Sequence, residues 1–154
     1  MAELTLSTVT ERDLGELLAL VREYCDFYGV SPTDEALLAL SRSLISSPET
    51  EGQQVVARDG DGRALGFATL FWSWSTLSAS RVGVMNDLFV APDARGAGVA
   101  DALIADCAER CEARGATSLG WQTAKDNHRA QAVYERVGGV REEWLDYSLD
   151  VRQE

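Results

Sequence analysis

The chain has no apolar run close to the ~20 residues that a membrane-crossing helix needs. Its first residues, MAELTLSTVTERD, show no basic region followed by an apolar stretch, so no signal peptide is expected and the cytoplasm is the expected compartment. Basic residues are few: 14 Lys and Arg stand against 25 Asp and Glu, a net charge of −11. That balance excludes a nucleic-acid partner, which requires clustered cations, and is compatible with a cationic ligand. Histidine occurs once, at His128, and cysteine three times, at Cys25, Cys107 and Cys111. Cys107 and Cys111 lie four apart and share a helix face, but two ligands do not close a zinc site. Buried free thiols and no metal are therefore expected. Internal repeats, low-complexity tracts and linkers are also missing.

What is present is globular. A 45% hydrophobic and 25% charged composition over 154 residues fits one domain, residues 1–154, with a real core. Leu4 to Thr10 alternates as a strand does. Thr10 can cap a helix with Asp13 in the place of a capping-box Glu, and apolar residues from Leu14 to Tyr28 fall at helical spacing up to Gly29. Thr33 to Ser46 predicts a second helix. QQVVARD, GDGR and ALGFATLFWSW predict a hairpin, and Arg81 to Ala91 a third long strand. Ala97 to Arg114 predicts a helix stopped by Gly115, TSLGWQT a strand, and Asn127 to Val137 a helix ended by a glycine pair. VREEWLDYSLDV predicts one or two closing strands. Hairpin strands mixed with helices give an α/β (α+β) sheet with helices on both faces, not a doubly wound one.

One junction stands out. APDARGAGVA, Ala91 to Ala100, places Gly96 and Gly98 where a helix begins, although glycine costs a helix interior about 1 kcal/mol against alanine. A first helical turn has unpaired N–H groups and a partial positive charge. Small residues there admit an anion to the backbone, and Arg95 adds a fixed charge, so the stretch reads as a pyrophosphate cradle. The plain alternative is a helix start whose small residues serve packing against the sheet. A Walker A loop would need a Gly-Lys-Ser/Thr ending, and a dinucleotide fingerprint G-x-G-x-x-G after the first strand; both are absent.

The pattern that remains, R-x-x-G-x-A at Arg95, Gly98 and Ala100 within NDLFVAPDARGAGVADALI, resembles motif A of the GCN5-related N-acetyltransferases. NHRAQAVYERVGG resembles that family's N-x-x-A-x-x-x-Y segment through Asn127, Ala130 and Tyr134. The two blocks stand ~30 residues apart with a strand between them, in the family's order, and the resemblance covers nearly the whole chain. It implies a mostly antiparallel central sheet of six to seven strands with a V-shaped splay that takes acetyl-CoA as cosubstrate.

The resemblance also implies roles. Cofactor contacts fall on Leu88, Phe89, Val90, Arg95, Gly96, Ala97, Gly98, Val99, Ala100, Asp101, Asn127 and Ala130. The Leu88 N–H would also stabilise the oxyanion. Tyr134 would be the general acid, since a phenol near pKa 10 can protonate a leaving thiolate whose own pKa is about 8.5. The family's usual base position carries Asn86, which can orient a water but cannot take a proton. Strand alternation turns the adjacent Asp87 to the other face unless a bulge intervenes, which leaves Asp87, a water chain, Glu23 or Asp26 as the base. Phe27, Tyr28, Trp72 and Trp74 can line a pocket for a cationic or aromatic acceptor, or fill a core or dimer interface. NDLFV and the first helix look nearest the diamine and polyamine branch, but Tyr28 and Asn86 stand where that branch carries acceptor-binding carboxylates. The implied activity is direct acetyl transfer to the primary amine of a small molecule in a ternary complex. The alternatives are a non-catalytic CoA-binding module, another acyl donor, or a protein lysine as acceptor. The family often forms homodimers, to which Trp144 and Tyr147 on a terminal strand could contribute.

Overall fold

The computed structural model describes residues 3–152. Their contacts divide into two compact units, Met1–Gln122 and Thr123–Glu154.

The first unit runs β1 (Thr5–Thr8), α1 (Leu14–Phe27), α2 (Asp34–Ser46), β2 (Gly52–Arg58), β3 (Ala64–Ser75), β4 (Ser80–Val90), α3 (Val99–Arg114) and β5 (Leu119–Gly120). Single 3₁₀ turns precede α1 and α3, at Glu11–Asp13 and Pro92–Ala94. The helix starts follow from their caps. The Thr10 N–H donates to the Asp13 carboxylate at 2.8 Å, and the Thr33 hydroxyl accepts from the Ala36 N–H at 3.1 Å, satisfying a first-turn donor of α2. Asp13 also pairs with Arg58 at 2.7 Å, which ties the head of α1 to β2.

The five strands are hydrogen-bonded in the order β1-β2-β3-β4-β5. The first three pairings are antiparallel. β4 and β5 are parallel and paired only at Gly83–Leu119 and Val84–Gly120. Helices cover both faces. Phe67 points to α1, its ring 6.0 Å from that of Tyr24, while a Cβ on neighbouring Gly66 would lie 3.4 Å from Val99 of α3. Covered on both sides, β3 is buried without alternation from Ala64 to Leu70. The core centres on Leu17, Val55, Phe67, Leu70, Leu103 and Cys107, each at most 1% exposed.

All three cysteines are free and buried. Cys111 sets how closely α3 approaches the sheet, because a Cβ on Gly83 would collide with its sulfur. Gly83→Ala is therefore expected to lower stability by about 1–3 kcal/mol, the usual cost of overpacking, measured by chemical denaturation. The double variant with Cys111→Ala should recover part of that loss.

The second unit holds α4 (His128–Arg136), N-capped by Asn127, whose side chain accepts from the Ala130 N–H at 3.1 Å. Here the sequence expectation is corrected. Six to seven strands are expected and five form among the described residues, because residues 137–152 carry no strand and TSLGWQT pairs only at Leu119–Gly120. Trp144, Tyr147, Leu149 and Val151 are 73–92% exposed. Alternation alone makes no strand without a partner backbone.

Candidate active site

The sheet positions the site through one irregularity. β3 and β4 pair Thr69 with Asp87 but Leu70 with Met85, so Asn86 is an extra residue on β4. A bulge of this kind inverts alternation beyond it. Strand alternation predicts Asp87 on the face opposite Val84. The structure instead turns Asp87 to the α1/α2 face together with Val84 and Phe89. Met85, paired with Leu70, faces α3.

On the α1/α2 face lies a cavity of about 120 Å³. α1 lines it with Leu14, Leu17, Leu18, Val21, Tyr24 and Cys25, and α2 with Leu37, Leu38, Leu40 and Ser41. The sheet supplies Gln54, Thr69, Phe71, Asn86 and Asp87. Among the described residues of that lining, Asp87 alone is charged. It is half-buried and accepts two hydrogen bonds, from the Thr69 hydroxyl at 2.8 Å and from Asn86 Nδ2 at 3.0 Å. Burial pushes its carboxyl up from 3.8 to about 6, against the pull of the Asn86 and Thr69 hydrogen bonds. The other carboxylates that could act as base, Glu23 and Asp26, lie on α1 and do not line the cavity.

Among the described residues, no strand pairs with the edge of β4 beyond Val84. Ala91 donates its N–H to Leu65 on the β3 side at 2.8 Å. By alternation the N–H groups of Val90 and Leu88 point to the unpaired edge. Leu88 and Val90 can thus offer backbone donors along that edge. Phe89 has its side chain in the aromatic cluster of the α1/α2 face, its ring 6.1 Å from Tyr24 and 6.2 Å from Phe67.

At the end of β4 the chain turns through Pro92–Ala94 into Arg95, Gly96, Ala97 and Gly98, all exposed. Gly96 and Gly98 have φ of +86° and +81°, the left-handed region that disfavours a side chain, and a Cβ on either would meet nothing within 4 Å. The glycines are needed for the turn, and the space over them is open. Gly98 is the N-cap of α3, so the amides of Val99 and Ala100 have no carbonyl one turn back. Val99, 2% exposed, anchors this first turn against the sheet. Arg95 donates Nε to the Val90 carbonyl at 3.1 Å, and its guanidinium lies 5.8 Å from the Phe89 ring. A strand edge leading to the N-terminal turn of α3 fits an extended thiol cofactor with a pyrophosphate.

The other residues to which the sequence points are dispersed. Phe27 and Tyr28 sit exposed at the end of α1, stacked edge-to-face at 5.1 Å, and Tyr28 packs on Tyr24 at the same distance. Trp72 lies on the α3 face, with the Arg114 guanidinium 5.7 Å from its ring and Nε1 donating to the Pro48 carbonyl at 2.9 Å. Trp74, two residues on, shares that face and is 69% exposed beneath Arg81. The tryptophans are therefore across the sheet from Asp87. Asn127, Ala130 and Tyr134 belong to the second unit, where the Asn127 oxygen and the Ala130 amide are engaged in the α4 cap. Thr69 and Gln54 join the site without a motif to announce them. Their signal in the sequence is a polar residue inside an apolar strand, in ALGFATLF and QQVVA.

Among the described residues, no group of His, Cys, Asp or Glu is placed to hold a metal, and no helix is long and apolar enough to cross a membrane. The Cys107 thiol is pushed up to about 12, chiefly by burial, which makes it a poor nucleophile.

Residues 17–139 match the Acetyltransferase (GNAT) family. The uncharacterized N-acetyltransferase YhfO of Bacillus subtilis (strain 168) is 27% identical over 140 residues, covering 90% of this chain and 92% of that protein. The D-amino-acid N-acetyltransferase HPA3 of Saccharomyces cerevisiae is 32% identical over 120 residues, 77% of this chain and 73% of that one. The solved structure of aminoglycoside N-acetyltransferase AAC(6')-Iy in complex with CoA shares the fold, with a TM-score of 0.86 over 99% of this chain and 97% of that one at 21% identity. The chain belongs to the acetyltransferase (GNAT) family, and it is an N-acetyltransferase that takes acetyl-CoA as its acetyl donor.

Proposed function

We propose that the protein acetylates the primary amine of a small molecule carrying that amine on an apolar body, by direct transfer, with Asp87 as general base. The observation that carries this reading is the bulge at Asn86, which turns Asp87 onto an otherwise uncharged, leucine-lined cavity. A second carboxylate, which a polyamine or other polycation would use, is not in that lining. The amine acceptor is supported by the activity named for the yeast relative.

Acetyl-CoA supplies the thioester carbon that the amine attacks. Asp87 takes the proton from the amine nitrogen as the C–N bond forms; an ammonium near pKa 10.4 would otherwise hold its lone pair in an N–H bond. The Leu88 N–H, and Val90 beside it, donate along the β4 edge, with Leu88 placed for the carbonyl oxygen as negative charge gathers there. The amides from Gly96 to Asp101, with Arg95, hold the pyrophosphate. Tyr134 gives its phenolic proton to the sulfur as the C–S bond breaks, and Asn127 and Ala130 steady the helix that carries it. This reading takes both units as one catalytic domain over residues 1–154.

Thiol release from acetyl-CoA, measured across a panel of amines, tests the reading. Alkyl and arylalkyl monoamines are expected to exceed polyamines and aminoglycosides in kcat/KM. Binding of CoA with no thiol release for any acceptor would establish a non-catalytic module instead. Tyr134→Phe is expected to lower kcat at least about 10-fold with little change in the KM for acetyl-CoA, as loss of a general acid does. An unchanged kcat removes Tyr134 from the chemistry.

A further inference from the structure

Behind Asp87, two buried side chains form a hydrogen-bonded line across three strands. Gln54 of β2 donates Nε2 to the Thr69 hydroxyl of β3 at 3.1 Å, and Thr69 donates its hydrogen to Asp87 of β4 at 2.8 Å. Gln54 is 5% exposed and Thr69 2%. A hydroxyl has one hydrogen and two lone pairs. With the Gln54 amide on one lone pair, the Thr69 hydrogen is committed to the carboxylate.

The line leaves a mark that packing alone does not explain. Gln54 Oε1 is buried without a donor, and an unmet buried acceptor is costly. A leucine would fill the same space without that orphan. Turning the amide over would satisfy Oε1 with the Thr69 hydrogen, but it would orphan the amide N–H groups and strip the hydrogen from Asp87. The observed orientation is the one that serves the carboxylate.

We propose that Gln54 and Thr69 are positioning residues for the base, a line that aims one hydroxyl hydrogen at the Asp87 carboxylate and so sets its readiness to take a proton. The proposal rests on Asp87 being the base, as read above. Its consequence has a definite sign. The Thr69 hydrogen bond favours the ionised carboxylate, so loosening the line must raise the pH at which Asp87 ionises. The competing groups are few among the described residues. α1 contributes the titratable Tyr24 and Cys25 to the lining, α2 contributes Ser41, β4 contributes Asn86, and Cys107 of α3 acts through the sheet from the other face.

The test reads Asp87 directly, by the carboxyl ¹³C shift of labelled aspartate in the whole protein, assigned by its loss in Asp87→Asn. Thr69→Val should raise the midpoint by about one pH unit, the order expected for losing a hydrogen bond to a charged group. Gln54→Leu should raise it in the same direction by less, with Tm equal to or above the parent. Thr69→Ser should restore the parent midpoint. An unchanged midpoint in Gln54→Leu overturns the line, as does a Thr69→Ser variant that behaves like Thr69→Val. The acid limb of the kcat/KM profile separates the two readings. It should move with the ¹³C midpoint; a shifted midpoint with a fixed acid limb upholds the line and removes Asp87 as the base.

Discussion

Asp87→Asn is expected to lose at least about 100-fold in kcat/KM, the lower end of what a positioned base contributes, and at the same time to raise thermal stability at pH 8. The two effects have one cause. The Asp87 carboxyl holds its proton to about 6 in the folded protein, against the ordinary 3.8, mainly because it is half-buried in the apolar cavity. Between those two values the folded state binds more protons than the unfolded state, so stability falls as pH rises from about 4 to 6 and stays at the lower level above. Keeping the ionised carboxylate in that cavity at neutral pH costs something on the order of 2–3 kcal/mol. Asparagine removes the buried charge while keeping an oxygen for the Thr69 hydroxyl, and Asn86 can turn its amide to accept from it. The gain in Tm should therefore appear at pH 8 and vanish near pH 4. Full activity in the variant would place the base elsewhere. Loss of stability at pH 8 would make Asp87 a structural group.

That coupling is only partly legible in the sequence. Local chemistry can be read there: Thr33 caps α2, and the glycines after Arg95 place the start of α3 within two residues. The bulge cannot, because NDL contains neither glycine nor proline to mark it. Whether β4 takes one extra residue is settled by its register on β3, where Phe67–Phe89 and Phe71–Val84 must both be met. One residue of register decides whether Asp87 faces the cavity or the α3 side of the sheet. The cavity itself joins residues 14–41 to 54–71 and 86–87, contacts that no local pattern announces. The terminal alternation fails for the opposite reason. WLDYSLDV has strand periodicity, but periodicity fixes only a face, and a strand also needs an edge to pair with.

The α3 N-terminus supports the sharpest separation of structure from binding. Gly98 and Gly115 cap the two ends of the same helix, both at φ +81°, with ψ of 11° and 15°. Neither would crowd a Cβ within 4 Å. Alanine at either position carries the same left-handed strain, about 1–2 kcal/mol, so Gly98→Ala and Gly115→Ala should lower stability equally. Their surroundings in the working protein differ. The open space over Gly98 is where the proposed reading seats the pyrophosphate, whereas the open space at Gly115 adjoins the carbonyl end of the helix, where an anion is repelled. Gly98→Ala is thus expected to weaken CoA at least about 10-fold, because a methyl group interrupts close approach to the amides, while Gly115→Ala leaves the affinity unchanged. Isothermal titration with CoA and with dephosphorylated pantetheine completes the comparison. The difference between the variants should be present for CoA and absent for pantetheine, which has no pyrophosphate to lose. An equal loss for both ligands would mean that Gly98 shapes the β4 edge and not the anion cradle.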